Sequence, residues 1–461
     1  MDYPISDWVK DAIFYEIFPE RFANGDPGND PPGVEPWNNG TPTRTNFFGG
    51  DLQGIINELD HLEALGINAI YLTPIFAANT NHKYDTVDYY QIDPHFGDLE
   101  TFRRLLYEAH RRGIRIVLDA VFNHVGEEFW AFRDVIERGE ASPYVNWFYI
   151  EDLPVTKEPM PNYATYENAD YLVKLNIHNP EVRQYLYEVA RHWSREGIDG
   201  WRLDVPYLMN HRFWNAFYRA VKDINPELYI VAEIWQQATD WLQGDECDGA
   251  MNYRLRDLML DFFVHERLDG TTFDQKLAAL REEHPGETAY SMLNLLGSHD
   301  TPRFLTLCQD DRERFKVAAT FLFTYVGIPM IYYGDEVGMT GENDPDCRRP
   351  MIWDPSAQDQ ELLEWHRQLI RFRKAHTALT RGKIRTVHAS GDIYAFERHH
   401  SEDYALVILN RGTGGQTIVL PEQCWHGKPS LHDELSGRVY PKFEPVKVGG
   451  HSALVLVSEL P

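Results

Sequence analysis

The sequence predicts an α/β protein: a (β/α)8 barrel of the TIM type, a domain inserted after the third strand, and a C-terminal antiparallel β-sandwich domain. Three observations predict it. Short apolar runs alternate with amphipathic segments through about residue 380. That rhythm breaks once, for about fifty residues after the third run. Beyond about Arg381, closely spaced β-type runs follow one another across Gly, Asn and Ser turns.

The apolar runs are Ala12–Phe18, Asn68–Leu72, Ile114–Val121, Ile198–Leu203, Leu228–Ala232, Gly249–Tyr253, Met292–Leu296 and Met330–Tyr333. Their lengths and their Ile, Val, Tyr and Phe content read as buried strands. Between them lie helical patterns. In Leu99–Arg112, for example, Phe102, Leu105, Leu106 and Ala109 share one face, and Arg103, Arg104, Glu108 and Arg111 lie elsewhere. Strand and helix alternating over this length argue for parallel strands, and eight such units for a closed barrel. An open doubly wound sheet is the alternative, weakened because no glycine-rich phosphate loop follows the first strand. The barrel is expected over residues 1–123 and 177–380. The inserted domain is expected over 124–176, a stretch with Pro143, Pro154, Pro159 and Pro161 and many aromatics, too long for a plain loop. Residues 381–461 form the C-terminal domain, with strands at Ile384–His388, Asp392–Glu397, Tyr404–Leu409, Gln416–Leu420 and Ala453–Val457.

A chain of 461 residues with 43% apolar content accommodates a large barrel core and a smaller domain. The net charge of −27 argues against nucleic acid or anionic membranes as partners and leaves neutral substrates and cations. Aromatics at 13% suit stacking on sugar rings, and equally suit a large core. Cys247, Cys308, Cys347 and Cys424 show no CxxC spacing and read as free thiols in a reducing compartment. The N-terminus has no signal-peptide pattern, and no run is long enough to span a bilayer, so the expectation is a cytoplasmic protein.

In such a barrel the C-terminal strand ends carry the active site. The third run leads to Asp119, Asn123 and His124, and the fourth to Arg202 and Asp204. The fifth leads to Glu233 and Trp235, and the seventh to Ser298, His299 and Asp300. Glycoside hydrolysis needs two carboxyl groups across the scissile bond: one protonates the leaving oxygen, the other attacks or activates water. Arg202 lies two residues before Asp204 on an extended segment, so both side chains point the same way and the Arg favours an ionised nucleophile. Glu233 has no basic neighbour in sequence and is expected in a drier site with a raised pKa, as a general acid requires.

These segments resemble the short conserved regions of the α-amylase superfamily (glycoside hydrolase family 13), and the resemblance runs nearly the whole chain. Gly49–Leu52 and Leu65–Pro74 resemble its second-strand region, and His82–Asp85 the loop lining the subsite of the cleaved sugar. Gly327–Glu336 resembles its last barrel strand. The resemblance implies a retaining mechanism with Asp204 as nucleophile, Glu233 as acid/base and Asp300 as the third carboxylate. For a retaining enzyme the two carboxyl groups are about 5–5.5 Å apart. It also implies that Tyr84 stacks on the sugar, that His82, His124 and His299 bond its hydroxyls, and that Arg202 pairs with Asp204. Within the superfamily the chain is most similar to the neopullulanase, cyclomaltodextrinase and maltogenic amylase group. Asn343–Arg348 resembles that group's strand-eight loop, where Asp344 and Arg348 would contact the sugar beyond the cleaved one, and Trp235 would lie on the aglycone side.

The chain also departs from that group. Val205–Met209 stands where the group has Val-Ala-Asn-Glu-Val, so its acceptor-side Glu is Leu208 here. Leu172–Asn176 replaces Met-Pro-Lys-Leu-Asn. Trp8 comes almost directly before the first strand, so the group's additional N-terminal domain is expected to be missing. Asn24, Asp26, Asn29 and Asp30, with Gly49 and Asp51 later, place oxygen donors in a turn-rich loop; these are also ordinary turn residues. The resemblance implies structural Ca²⁺ there and no organic cofactor. Asn123 is read as structural. The implied function is hydrolysis of α-1,4-glucosidic bonds in malto-oligosaccharides, starch, cyclodextrins or pullulan, by a monomer or homodimer. An α-1,6-acting glucosidase or a 4-α-glucanotransferase would share the same site. A non-catalytic glucan-binding relative is disfavoured by the intact carboxylates.

Overall fold

The computed structural model describes residues 4–457 except 39, 285 and 402. The outermost residues of the expected domain ranges, 1–3 and 458–461, lie outside the described residues. The barrel strands are β1 (Phe14–Ile17), β2 (Ala69–Leu72), β3 (Arg115–Ala120), β4 (Gly200–Leu203), β5 (Tyr229–Ala232), β6 (Gly249–Ala250), β7 (Leu293–Leu295) and β8 (Ile328–Tyr332). They form one parallel eight-stranded sheet, and a parallel bridge between Met251 and Leu293 closes it from β6 to β7. Side chains alternate across each strand. Phe14, Tyr71, Val117, Val231, Leu293 and Met330 fill the barrel interior, whereas Ile13, Tyr15, Ile17, Ile70 and Ile116 pack outward with the helices.

Each strand is a little shorter than the apolar run that predicts it, except β8, which begins at Ile328, before the expected Met330. The largest difference is β6. The run Gly249–Tyr253 yields only Gly249–Ala250, because the Asn252 side chain accepts from Leu255 N–H at 3.2 Å and caps a helix, Tyr253–Met259. Gly249 is required by close approach: a Cβ there would lie 2.1 Å from the Ser291 carbonyl oxygen.

Two excursions sit above the C-terminal strand ends. After β2, Phe76–Ala78 and Thr86–Ile92 form an antiparallel hairpin that the sequence pattern does not announce. After β3, His124–Gly126, Ala169–Lys174 and Thr165–Tyr166 form a three-stranded sheet.

In the C-terminal region, Lys383–Ser390, Ile393–His400, Asp403–Asn410, Ser452–Val457, Ser430–Asp433 and Val439–Pro441 make a six-stranded sheet. Gln416–Ile418 pairs with Val446–Val448 in a second, two-stranded sheet. Between them lies a core of Ala395, Leu406, Ile408, Trp425, Val446 and Leu456. The opposite face of the large sheet, including Phe396, Val407 and Val455, joins the main core. Arg398, fully buried, fastens this region to the barrel by donating to the Thr324 carbonyl at 2.8 Å, and donates within the region to the Gly382 carbonyl at 3.0 Å. All four cysteines are free and buried. Among the described residues, no helix is long and apolar enough to cross a membrane.

Candidate active site

Above the apolar interior, the strand ends carry a layer of charge centred on Arg202. Its Nη1 lies 2.8 Å from Asp204 and 3.1 Å from Asp119, and its Nη2 lies 3.0 Å from Glu233. Arg202 thus meets Asp204 as expected and also reaches Glu233, which has no basic neighbour in sequence. The parallel register sets Arg202 beside Val231 of β5, two residues before Glu233, which brings the fifth strand's acid onto the same guanidinium. Asp119 is further held by the Tyr71 hydroxyl at 2.6 Å and the Tyr84 hydroxyl at 2.9 Å.

One cation facing Asp119, Asp204 and Glu233 cannot neutralise all three. Burial pushes the carboxyls of Asp204 and Glu233 above the usual range; Arg202 opposes this for both, and their mutual repulsion adds to it for Asp204. Asp300 differs. Burial would raise it, but His299, Arg348 and Arg202 outweigh burial and hold it below the usual range. Its carboxylate lies 3.1 Å from Arg348 Nη2 and 3.2 Å from His299 Nε2.

Val205 follows Asp204 with φ of +36°, left-handed backbone that a β-branched residue adopts only under strain of about 1–3 kcal/mol. This sharp turn delivers the Val205 N–H to Glu233 at 3.0 Å. Trp235 also holds the acid: its indole N–H donates to Glu233 at 2.9 Å, and its ring stacks on Tyr253 at 3.7 Å.

His82, Tyr84, His124, Asp204, Glu233, Trp235, Asp300, Asp344 and Arg348 line one cavity of about 920 Å³. Arg202 and His299 are buried beneath its floor, so the structure sets His299 behind Asp300 and Tyr84. The Asp344 carboxylate pairs with Arg348 at 3.1 Å and with Arg44 at 3.3 Å. His82 accepts the Tyr84 N–H at Nδ1, which leaves its ring hydrogen on Nε2, and His124 Nδ1 lies 3.2 Å from the Asn123 amide nitrogen. Burial lowers both imidazoles to about 3, so they stay neutral donors.

Sequence reasoning missed several residues here. Arg44, Tyr166 and Tyr207 line the cavity, and Glu16 underlies it through His299. A charged residue inside the apolar run Phe14–Ile17 was the available signal for Glu16. Leu208 faces a separate cavity of about 540 Å³, which shares Tyr207 with the first.

The sequence profile "Alpha amylase, catalytic domain" matches residues 16–359, three quarters of the chain and every barrel strand end described above. The chain belongs to the alpha-amylase family. This family member is 51% identical over 435 residues to Neopullulanase 2 of Thermoactinomyces vulgaris, covering 94% of this chain and 74% of that protein. It is 49% identical to a cyclomaltodextrinase of Geobacillus thermopakistaniensis, over 90% of this chain and 71% of that protein. Among solved structures it resembles the cyclic α-maltosyl-(1→6)-maltose hydrolase of Arthrobacter globiformis. The ligand-free form has TM-score 0.92 and 48% identity, covering 98% of this chain and 99% of that one.

In this alpha-amylase family chain the oxygen-rich loop folds into one cluster. Asn24 Nδ2 donates to Asp30 at 2.8 Å, and Asn29 Nδ2 to Asp51 at 3.3 Å. The amide oxygens of Asn24 and Asn29 are buried without a hydrogen-bond partner. Gly49 leaves no room for a side chain, since a Cβ would lie 2.3 Å from Asp30 Oδ1. Orphaned hard oxygens beside carboxylates fit a calcium ion. Part of the set has another use: Asp51 accepts N–H groups of Gly25, Asp26 and Gly54 and caps the helix Leu52–Asn57, while Asp26 accepts the Gly28 N–H. Among the described residues, no cluster of three or more His, Cys, Asp and Glu is placed to hold a metal.

Proposed function

We propose that this protein is a retaining glycoside hydrolase that cleaves α-1,4-glucosidic bonds in short and cyclic α-glucans. The observation that carries the reading is the meeting of Asp204 and Glu233 on Arg202 at the base of a cavity that also holds Asp300. Asp204 attacks the anomeric carbon while the Glu233 carboxyl gives its proton to the leaving oxygen. Glu233, now a carboxylate, takes a proton from the incoming water, which displaces Asp204 from the same face that the leaving group vacated. Asp300, held by Arg348 and His299, is placed to accept from sugar hydroxyls. His82 offers an Nε2–H donor to the sugar, His124 lines the cavity beside it, Tyr84 offers a ring face, and Asp344 and Arg348 offer polar contacts further along the cavity. Trp235 serves the aglycone side.

The relatives named neopullulanase and cyclomaltodextrinase support pullulan, cyclodextrins and malto-oligosaccharides as substrates. The structure matching this chain almost end to end adds cyclic α-maltosyl-(1→6)-maltose. Incubating the protein with maltoheptaose, β-cyclodextrin, pullulan and that cyclic tetrasaccharide should release short malto-oligosaccharides that first appear as α-anomers. Initial β-anomers would overturn the retaining mechanism, and inertness toward all four would overturn the substrate class. Products longer than the substrate would establish a glucanotransferase instead.

Calcium in the loop formed by Asn24, Asp26, Asn29, Asp30, Gly49 and Asp51 is part of this reading, as a structural ion remote from the chemistry. It would satisfy the two orphaned amide oxygens. At a hundredfold excess over Kd such an ion stabilises by about 2.7 kcal/mol, so Tm should fall by several degrees in EDTA and recover with Ca²⁺ but not Mg²⁺. Identical melting in Ca²⁺ and EDTA would remove the ion from the account. A cytoplasmic location is supported by the four free thiols and by a relative named intracellular maltogenic amylase. A monomer or homodimer is the proposed assembly.

A further inference from the structure

We infer that Glu16 is a positioning residue that keeps a hydrogen on His299 Nε2, and so fixes the hydrogen-bond polarity of the wall formed by Asp300 and Tyr84. The consequence for catalysis rests on the functional reading above, and the protonation rests on geometry.

Glu16 is fully buried at the end of β1. Its Oε1 lies 2.6 Å from His299 Nδ1 and also accepts the His299 backbone N–H at 3.2 Å, while its Oε2 has no hydrogen-bond partner. A proton therefore lies between Oε1 and Nδ1. At the other end of the ring, Nε2 faces two oxygens: the Tyr84 hydroxyl at 2.8 Å and Asp300 Oδ2 at 3.2 Å. The Tyr84 hydroxyl also reaches Asp119 at 2.9 Å, and when its single hydrogen is donated there it presents a lone pair to the ring. Asp300, paired with Arg348, is an acceptor as well. A bare nitrogen facing two acceptors would be repelled by both, so Nε2 carries a hydrogen. The Glu16–His299 unit thus holds two protons, and swapping Glu16 for a neutral acceptor would let one leave.

The remaining surroundings agree. Arg348 Nε and the Cys347 thiol both reach the His299 carbonyl oxygen rather than its ring, and Phe18 packs against the ring at 6.2 Å. Burial would lower the His299 pKa, but Asp300 and Glu16 reverse that and raise it, Arg348 opposing. The contrast with His82 and His124 is chemical: neither has a carboxylate at Nδ1, and both stay neutral.

The test is Glu16→Gln. The amide still accepts the Nδ1–H bond but supplies no charge, so the His299 pKa falls and the ring loses its Nε2 hydrogen at lower pH than in the wild type. The alkaline limb of kcat/KM should move down by about one pH unit or more, with Glu16→Asp restoring part of the shift. An unmoved limb, or a loss of activity uniform across pH, would overturn the proposal. A second measurement needs no Glu16 variant. In wild-type protein with ¹⁵N-labelled histidine rings, the signal lost in His299→Gln should report hydrogen on both nitrogens, or on Nε2 with a shared Nδ1 proton, at pH 7. An unprotonated Nε2 would refute it. If the protein proves inactive on every glucan while this signal persists, the functional reading fails and the relay stands.

Discussion

Asp204→Asn should lower kcat by on the order of 10⁴-fold or more on every glucan substrate, because an amide does not form the glycosyl ester. Asn keeps the shape and still meets Arg202, so Tm should change little. Glu233→Gln should behave differently. General acid catalysis contributes about 10²–10⁴-fold, and only where the leaving oxygen needs a proton. Glycosyl fluorides leave without one, so Glu233→Gln should retain glycosylation of α-maltosyl fluoride while Asp204→Asn loses it. Rapid-quench analysis of the covalent intermediate distinguishes the two. Equal losses on the fluoride for both variants would show that the roles are misassigned.

Arg202→Met should be the most destabilising single change in the site, by about 3–5 kcal/mol near neutral pH, since removing one partner of a buried charge cluster leaves the others uncompensated. The uncompensated groups are Asp119, Asp204 and Glu233. Arg202 holds down the raised pKa values of Asp204 and Glu233, so without the guanidinium these two rise further above the unfolded value of about 4. A carboxyl raised in the folded state costs stability progressively as pH climbs past its unfolded pKa. The deficit of the variant should therefore shrink as the solution is acidified from pH 7 toward pH 4.5, and urea unfolding at both values measures it. A deficit independent of pH would mean that losing the guanidinium from the face of Tyr71, where its carbon lies 5.7 Å from the ring centroid, outweighs losing its pairing with the carboxylates. Arg202→Lys should rescue only part, because an ammonium lacks the planar fork that meets carboxylates on both sides.

The strand-end positions of Asp204, Glu233 and Asp300 were legible in the sequence because each follows its own strand by a few residues, and periodicity locates strand ends. Contacts across strands were not. Arg202 reaching Glu233 depends on the β4–β5 register, and Glu16 meets His299 across 283 positions. The hairpin of Phe76–Ala78 with Thr86–Ile92 was hidden because Ala77 and Ala78 carry little β signal and the register shifts twice. Three of the C-terminal strands, Ser430–Asp433, Val439–Pro441 and Val446–Val448, are too short for alternation to stand out. The metal-type loop was visible as residue types, but turns use the same residues. Only the orphaned oxygens of Asn24 and Asn29 separate the two uses.

The buried thiols make the chain its own reporter of breathing. Cys247 lies before β6, Cys308 after the helix Phe304–Leu307, Cys347 beneath the cavity against His299, and Cys424 inside the C-terminal sandwich. Burial drives the thiols of Cys308 and Cys347 up to about 12, so neither attacks a disulfide reagent while enclosed. Modification must wait for a local opening, and its rate at each cysteine measures how often that neighbourhood lets water in. An oligosaccharide that closes over the cavity would then slow labelling at Cys347 and leave Cys424 unchanged, mapping occupancy of the cleft without watching turnover.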